Sequence, residues 1–402
     1  MSKKTITSVD VSGKRVLIRV DFNVPIENGT ITDDRRIRMA IPTIKSVIDR
    51  GGRAVLISHL GRPDGIGYEA SESLKPCATR LAELLGKPVG FPSNDPTDAA
   101  AASATNAMKN GEVILLDNLR FNKGEKNGDA GFATKLAALG DIYVNDAFGT
   151  CHREDASMYA LPLAMAGKPR VVGLLVDKEL KYLSVALANP GKPYVVVMGG
   201  AKVSDKLPMI GVVLRKADQV LVGGAMAYTF LAALGKKVGI SRVETEMLPE
   251  ARKIIELAAK LKCELVLPKD HVCGTAFIES GGNIETFEGD IRDGFMGLDI
   301  GAKTQLDFAI RISRAKTIVW NGPMGVFEWT AFSIGTKSVA RAIADATTSK
   351  GAITIVGGGD SAAAAEQFGL AENFSHVSTG GGASLEMLAG KPFKTVEILD
   401  AA

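Results

Sequence analysis

The chain has 402 residues, 46% of them hydrophobic, more than one core usually supports and enough apolar mass for two. Lysine and arginine number 48 against 45 acids, and a net charge of +3 gives no field suited to holding a nucleic-acid backbone. Four dispersed cysteines without C-x-x-C spacing read as free thiols, no apolar stretch is long enough to span a bilayer, and a cytosolic protein without a membrane partner is expected.

Short apolar runs recur along the chain, each followed by a helical pattern. In the first half they cover residues 15–20, 54–57, 113–116 and 142–144; in the second, 194–198, 220–222, 265–267, 318–320 and 353–356. This rhythm predicts an α/β fold of two Rossmann-like lobes, each a largely parallel sheet flanked by helices. The alanine-rich stretch 99–107 is read as a helix. Between the halves, 177–189 places Leu180, Leu183 and Leu187 on one helical face before Asn189-Pro190-Gly191 stops it, so an interlobe helix is expected; the plain alternative is a crossover helix within one large sheet.

Ligands of parallel sheets gather beyond the carboxyl ends of the strands, and there the two halves differ. After the first-half strands come Asp21-Phe22-Asn23, His59 and Arg62, Asn118 and Arg120, and the stretch 146–153 with His152 and Arg153, while Arg36 and Arg38 open the first helix. Any one of these arginines reads as a solvated ion pair. Their recurrence at four strand ends instead gives the donor set for a small molecule bearing phosphate and carboxylate. Cys151 beside His152 reads as a buried thiol rather than a nucleophile with its base, because neighbours on an extended segment face opposite ways.

The second half offers glycines: Gly199-Gly200-Ala201-Lys202, Gly223-Gly224, Gly357-Gly358-Gly359-Asp360-Ser361 and Gly380-Gly381-Gly382. One such loop could serve packing alone; four point to backbone N–H groups approaching phosphate at helix starts. Lys202 and Lys206 are candidates to add positive charge, and Asp360 would repel phosphate unless a cation lay between, which makes it a candidate Mg²⁺ ligand. The G-x-x-x-x-G-K-[ST] pattern is absent. Residues 357–362 satisfy G-x-G-x-x-A, which keeps a dinucleotide-dependent oxidoreductase as an alternative, and a non-catalytic nucleotide-binding scaffold is a third reading that leaves the arginines without a purpose.

Five segments, Arg19-Val20-Asp21-Phe22-Asn23-Val24-Pro25, Ser58-His59-Leu60-Gly61-Arg62-Pro63, Gly199-Gly200-Ala201-Lys202-Val203-Ser204-Asp205-Lys206, Trp320-Asn321-Gly322-Pro323-Met324-Gly325-Val326-Phe327-Glu328 and Thr379-Gly380-Gly381-Gly382-Ala383-Ser384-Leu385-Glu386, together resemble phosphoglycerate kinase in the family's order. The resemblance implies reversible phosphoryl transfer between 1,3-bisphosphoglycerate with ADP and 3-phosphoglycerate with ATP and Mg²⁺, by a monomer. It implies a phosphoglycerate-binding domain over 1–175, with about 388–402 packing back on it, a hinge over 176–190 and a nucleotide-binding domain over 191–387. It nominates Asp21, Asn23, Arg36, His59, Arg62, Arg120 and Arg153 for the acid substrate. For the nucleotide it nominates Gly200, Ala201, Lys206, Gly223, Gly224, Gly297, Asn321, Glu328, Gly358, Gly359, Asp360 and Ser361, with Asp360 on the metal. Asp155 stands where many members carry a second histidine, and Ser361 where a threonine is common.

Neither a carboxylate nor an ADP phosphate oxygen needs deprotonating at neutral pH, so the lack of an evident general base is expected. The resemblance gives the transferring phosphoryl to Arg36, Lys202 and the N–H groups of Gly359 and Gly380. Donors from opposite lobes imply closure, with hinges at the interlobe helix and near Thr379.

Overall fold

The computed structural model describes residues 2–402, without the side chains of residues 185–187, so Leu187 of the predicted apolar face lies outside the described residues. Contacts divide the chain into two compact units, Met1–Lys181 with Pro392–Ala402, and Tyr182–Lys391; the division falls inside the helix Leu174–Ala188.

The first unit is built on six strands, β1 (Arg15–Val20), β2 (Arg53–Ile57), β3 (Val89–Gly90), β4 (Val113–Leu115), β5 (Ile142–Asp146) and β6 (Arg170–Val172), all parallel and in the order β3-β4-β2-β1-β5-β6. β-Branched residues fill them because helices cover both faces: Val16, Ile18 and Val20 share a core cluster with Ile37, Ile44 and Val47 of the helix Arg35–Ile48. The C-terminal segment belongs to this unit through backbone pairing of Arg170 with Asp400, whose carboxylate also meets the Arg170 guanidinium at 3.3 Å.

The second unit has nine strands, β7 (Tyr194–Met198), β8 (Gln219–Val222), β9 (Glu264–Val266), β10 (Asp270–Gly274), β11 (Ile284–Glu288), β12 (Met296–Ile300), β13 (Thr317–Asn321), β14 (Ile353–Gly357) and β15 (His376–Val377). Six form a parallel sheet in the order β9-β8-β7-β13-β14-β15, and β11-β10-β12 form an antiparallel sheet absent from the sequence expectation. The omission has a physical cause: β11 alternates half-buried with exposed residues, and β10 carries Asp270 and His271, so neither makes an apolar run.

Each parallel sheet reverses its winding once. From β1 the chain goes to β2 on one side while β5 lies on the other, and β7 stands likewise between β8 and β13. Such switch points open a crevice at the carboxyl edge. Register brings the tips level there, Arg19 facing Ile57 and Asn145, and Asn321 facing Met198 and Gly357.

Helices leaving these sheets start on carboxylates from other elements. Asp117 accepts from the N–H of Leu74 at 2.8 Å, ahead of the helix Lys75–Leu85. Asp146 accepts from Leu175 at 3.0 Å, in the first turn of Leu174–Ala188. Asp299 accepts from Gly335 at 2.6 Å, in the first turn of Ile334–Lys350. Asp270 accepts from Lys303 at 2.9 Å, from Thr304 N–H at 2.8 Å and from its hydroxyl at 2.6 Å, fixing the start of Ala302–Ile312. Asp270→Ala therefore lowers the unfolding free energy of the second unit by about 1–2 kcal/mol. Both tryptophans, Trp320 and Trp329, lie in that unit, so their fluorescence during urea titration reads the loss directly.

Candidate functional site

The carboxyl edge of the first sheet gathers guanidinium groups. Arg19, fully buried at the end of β1, donates from Nη2 to His59 Nδ1 at 3.1 Å and from Nε to the Ser157 hydroxyl at 2.8 Å. Arg36, at the start of its helix, donates to Asp21 Oδ2 at 2.9 Å, and the other Asp21 oxygen lies 3.9 Å from His59 Nδ1. Arg153 brings Nη2 to 3.4 Å from His59 Nε2 and pairs with Asp155 at 3.2 Å. Arg120 donates to the Gly61 carbonyl at 2.6 Å, while the Gly61 N–H donates to Asn23 Oδ1 at 2.9 Å. The structure thus gathers Asp21, Asn23, Arg36, His59, Arg120 and Arg153 from separate loops. Arg62 is exposed and without an ion pair among the described residues, and Arg38 is a surface pair with Asp34 at 2.8 Å.

Burial holds His59 well below its ordinary range, and the charges of Arg19, Arg120, Arg153 and Arg36 push it the same way. The ring is neutral at physiological pH. Burial also lowers the Arg120 guanidinium, assisted by Arg153. The Nε atoms of Arg120 and Arg153 are buried with no hydrogen-bond partner among the described residues, a demand for acceptor oxygens. Arg19 stands in the segment 19–25, yet nothing in the sequence assigns it a role. Inside a strand it carries no signal separating it from an outward-facing residue, and only the ring it orients reveals it. Cys151 is buried with its thiol pushed up to about 12 by desolvation, as an inert thiol requires.

At the second sheet, the loops after β7 and β13 press together at the switch point. A Cβ at Gly199 would lie 2.0 Å from the Pro323 carbonyl oxygen, and one at Gly322 only 2.1 Å from that of Gly199, so no other residue fits either position. Asn321, at the end of β13, donates to the Gly357 carbonyl at 2.6 Å and accepts from the Lys206 ammonium. Burial lowers Lys206, against the pull of Asp360 and Asp205. Gly358, at φ +93°, turns the chain into the helix Gly359–Gln367, whose exposed first residues Gly359 and Asp360 lie beyond the tip of β14.

Several predicted donors are already engaged. The N–H of Gly200 donates to Pro323, that of Gly223 to Met198 and that of Gly224 to Met324, so these glycines shape the edge rather than offer donors. Gly380 N–H donates to the Ser378 hydroxyl at 3.1 Å, unlike the phosphoryl donor expected of it, because the turn after β15 folds back on itself. Ser361 is fully buried and its oxygen accepts from Gly322 N–H at 2.6 Å, leaving its own proton to donate. Gly297 lies in β12 under the Tyr228 hydroxyl, 1.8 Å from where a Cβ would stand. Ala201, Lys202 and Glu328 are exposed. Glu244 draws the segment toward itself by accepting from the Ser204 hydroxyl at 2.6 Å.

A cationic cluster at one switch point, with glycine turns, a lysine and a helix start at the other, defines a two-unit α/β phosphotransferase. The family model of phosphoglycerate kinase matches residues 6–391. The phosphoglycerate kinase of Rhodopirellula baltica is 56% identical over the whole of both chains, and the cytosolic phosphoglycerate kinase of Trypanosoma congolense is 47% identical over 99% of this chain and 98% of its own. The structure of phosphoglycerate kinase from Coxiella burnetii superposes with a TM-score of 0.88 at 40% identity, covering 98% of each chain. The chain belongs to the phosphoglycerate kinase family, and the dinucleotide reading falls away. No helix among the described residues is long and apolar enough to cross a membrane.

The depressed His59 has a consequence for stability. Below its unfolded value near 6.5 the unfolded chain binds a proton that the folded chain refuses. The contribution of this group is therefore complete above that pH and is lost as pH falls. His59→Gln removes the slope: between pH 7 and pH 5 the melting temperature of the parent should drop more steeply than that of the variant, a difference that calorimetry at both pH values measures.

Proposed function

We propose that the chain transfers a phosphoryl group reversibly between ATP and the carboxylate of 3-phosphoglycerate, the first unit holding the acid substrate and the second the nucleotide. The observation that carries the division is the convergence of Arg19, Arg36, Arg120 and Arg153 around a neutral His59 at the β1/β5 switch point. Guanidinium forks match the paired oxygens of carboxylate and phosphate. Asp21, Asn23 and Arg62 complete the acid site, Asp21 aligning Arg36 and Asn23 fixing the Gly61 turn beside Arg120.

Lys206, Asn321, Gly358 and the start of the helix at Gly359 form the phosphate edge of the nucleotide site, with Gly200, Ala201, Gly223, Gly224, Gly297, Glu328 and Ser361 around it. Among the described residues no three His, Cys, Asp or Glu side chains gather to hold a metal. A single exposed carboxylate suits Mg²⁺, which retains water and takes phosphate oxygens, and Asp360 is that carboxylate. When bound, the ion would neutralise phosphate charge. The attacking carboxylate is already ionised, so the chain's task is alignment and charge stabilisation by Arg36, Lys202 and the Gly359 N–H. With the substrates on separate units, transfer requires a closing motion about the helix Leu174–Ala188.

Purified chain with ATP, Mg²⁺ and 3-phosphoglycerate should turn over in an assay coupled to NADH oxidation. Arg36→Ala and Lys202→Ala should each lower kcat by roughly 100-fold or more with a smaller change in KM, circular dichroism being unchanged. A parent without turnover, or variants that alter KM alone, would remove the assignment.

A further inference from the structure

Behind the cationic cluster runs a directed chain of hydrogen bonds that none of the nominated residues accounts for. Glu125 is fully buried and accepts from the Ser157 hydroxyl at 2.6 Å and from the Ser157 N–H at 2.9 Å. The same hydroxyl oxygen accepts from Arg19 Nε at 2.8 Å, and the Ser157 carbonyl accepts from the Tyr143 hydroxyl at 2.9 Å. A guanidinium only donates, so the serine proton has to point at Glu125 and the polarity runs Arg19 to Ser157 to Glu125. An arginine donor faces each ring nitrogen of His59, Arg19 Nη2 at 3.1 Å from Nδ1 and Arg153 Nη2 at 3.4 Å from Nε2; a neutral ring accepts at only one of them, and the shorter contact marks Nδ1 as the acceptor. The ring proton is then on Nε2, where it faces a second donor, Arg153 Nη2, at 3.4 Å. Two donors side by side require an acceptor between them, and an anionic oxygen provides one.

We propose that Glu125 and Ser157 are positioning residues that hold Arg19, and through it fix His59 as the Nε2–H tautomer aimed with Arg153 at an oxygen of the acid substrate. The inference rests on assigning that substrate to the first unit. Glu125 is the buried counter-charge of Arg19, transmitted through the Ser157 hydroxyl. Glu125→Gln keeps the shape but presents an N–H₂ group to the Ser157 oxygen and so reverses the polarity. Ser157→Ala deletes the link, and Ser157→Thr restores it.

Long-range ¹H–¹⁵N correlation spectra of the imidazoles test the tautomer directly in the parent protein, where His59 is expected as Nε2–H. In Glu125→Gln and Ser157→Ala the pattern should shift toward a mixture, and KM for 3-phosphoglycerate should rise roughly 10- to 100-fold while KM for ATP stays within about twofold. Ser157→Thr should recover both. An Nδ1–H ring in the parent, wild-type KM in both variants, or equal rises in both KM values would overturn the proposal. The parent spectrum decides even where a variant does not fold, and it does so independently of turnover, so failure here is separable from failure of the substrate assignment.

Discussion

A helix that leaves a parallel sheet begins with N–H groups its own turns cannot satisfy, and in both units carboxylates from elsewhere in the chain satisfy them. The arrangement does more than close helices. Asp146 ends β5, so the residue that receives Leu175 also starts the segment leading to Arg153. Asp299 receives Gly335 while its Oδ1 stands 2.3 Å from where a Cβ at Gly325 would be, and Thr336, one residue on, accepts from Met324 at 3.0 Å. Strand ends, helix starts and ligand-edge loops are in this way one connected framework. Burial holds the carboxyls of Asp146 and Asp299 up near about 7, and the amide hydrogen bonds oppose it. The N–H groups thus offset only part of the desolvation.

The two edges are built by different physics. In the first unit the donors are side chains, which need counter-charges to survive burial: Asp21 for Arg36, Asp155 for Arg153, and Glu125 through Ser157 for Arg19. In the second the edge is built from backbone, which needs space rather than counter-charge. Gly199 and Gly322 provide the space by letting two loops touch where any Cβ would collide. The N–H groups of Gly200, Gly223 and Gly224 are used in making that contact, while the start of the helix at Gly359 stays exposed beyond the tip of β14.

Four strands of the first parallel sheet and five of the second were legible in the sequence because burial on both faces demands unbroken apolar runs, and β1 and β7 begin and end where those runs do; the two- and three-residue edge strands β3, β6 and β15 were not, being too short to make such a run. The antiparallel sheet was not, since a half-exposed strand such as β11 carries only a weak alternation. For the sites, cationic side chains recurring after four strands and at the start of the first helix singled out Arg36, His59, Arg120 and Arg153, which the structure brings to one sheet edge. Glu125, Ser157 and Arg19 act through geometry that crosses 138 residues of sequence between Arg19 and Ser157, and no local pattern encodes it. The N–H of Gly380 is hidden for another reason: Ser378, two residues away, takes it in a turn that composition does not predict.

The aspartate at 155 shows how the cluster is balanced. Four guanidinium groups crowd one edge, and an imidazolium among them would add a fifth positive charge within 3.4 Å of two others. Burial and those charges keep His59 neutral instead. Asp155 then lowers the repulsion further by pairing with the same Arg153 Nη2 that faces the ring, a service that a second histidine could not perform when protonated. The compensation is partial by construction. It lets the edge fold, yet leaves Nε of Arg120 and of Arg153 buried without an acceptor among the described residues. Unmade hydrogen bonds from buried charged groups are expensive. An anion that supplied their acceptors would therefore bind with energy the fold has already stored at this edge.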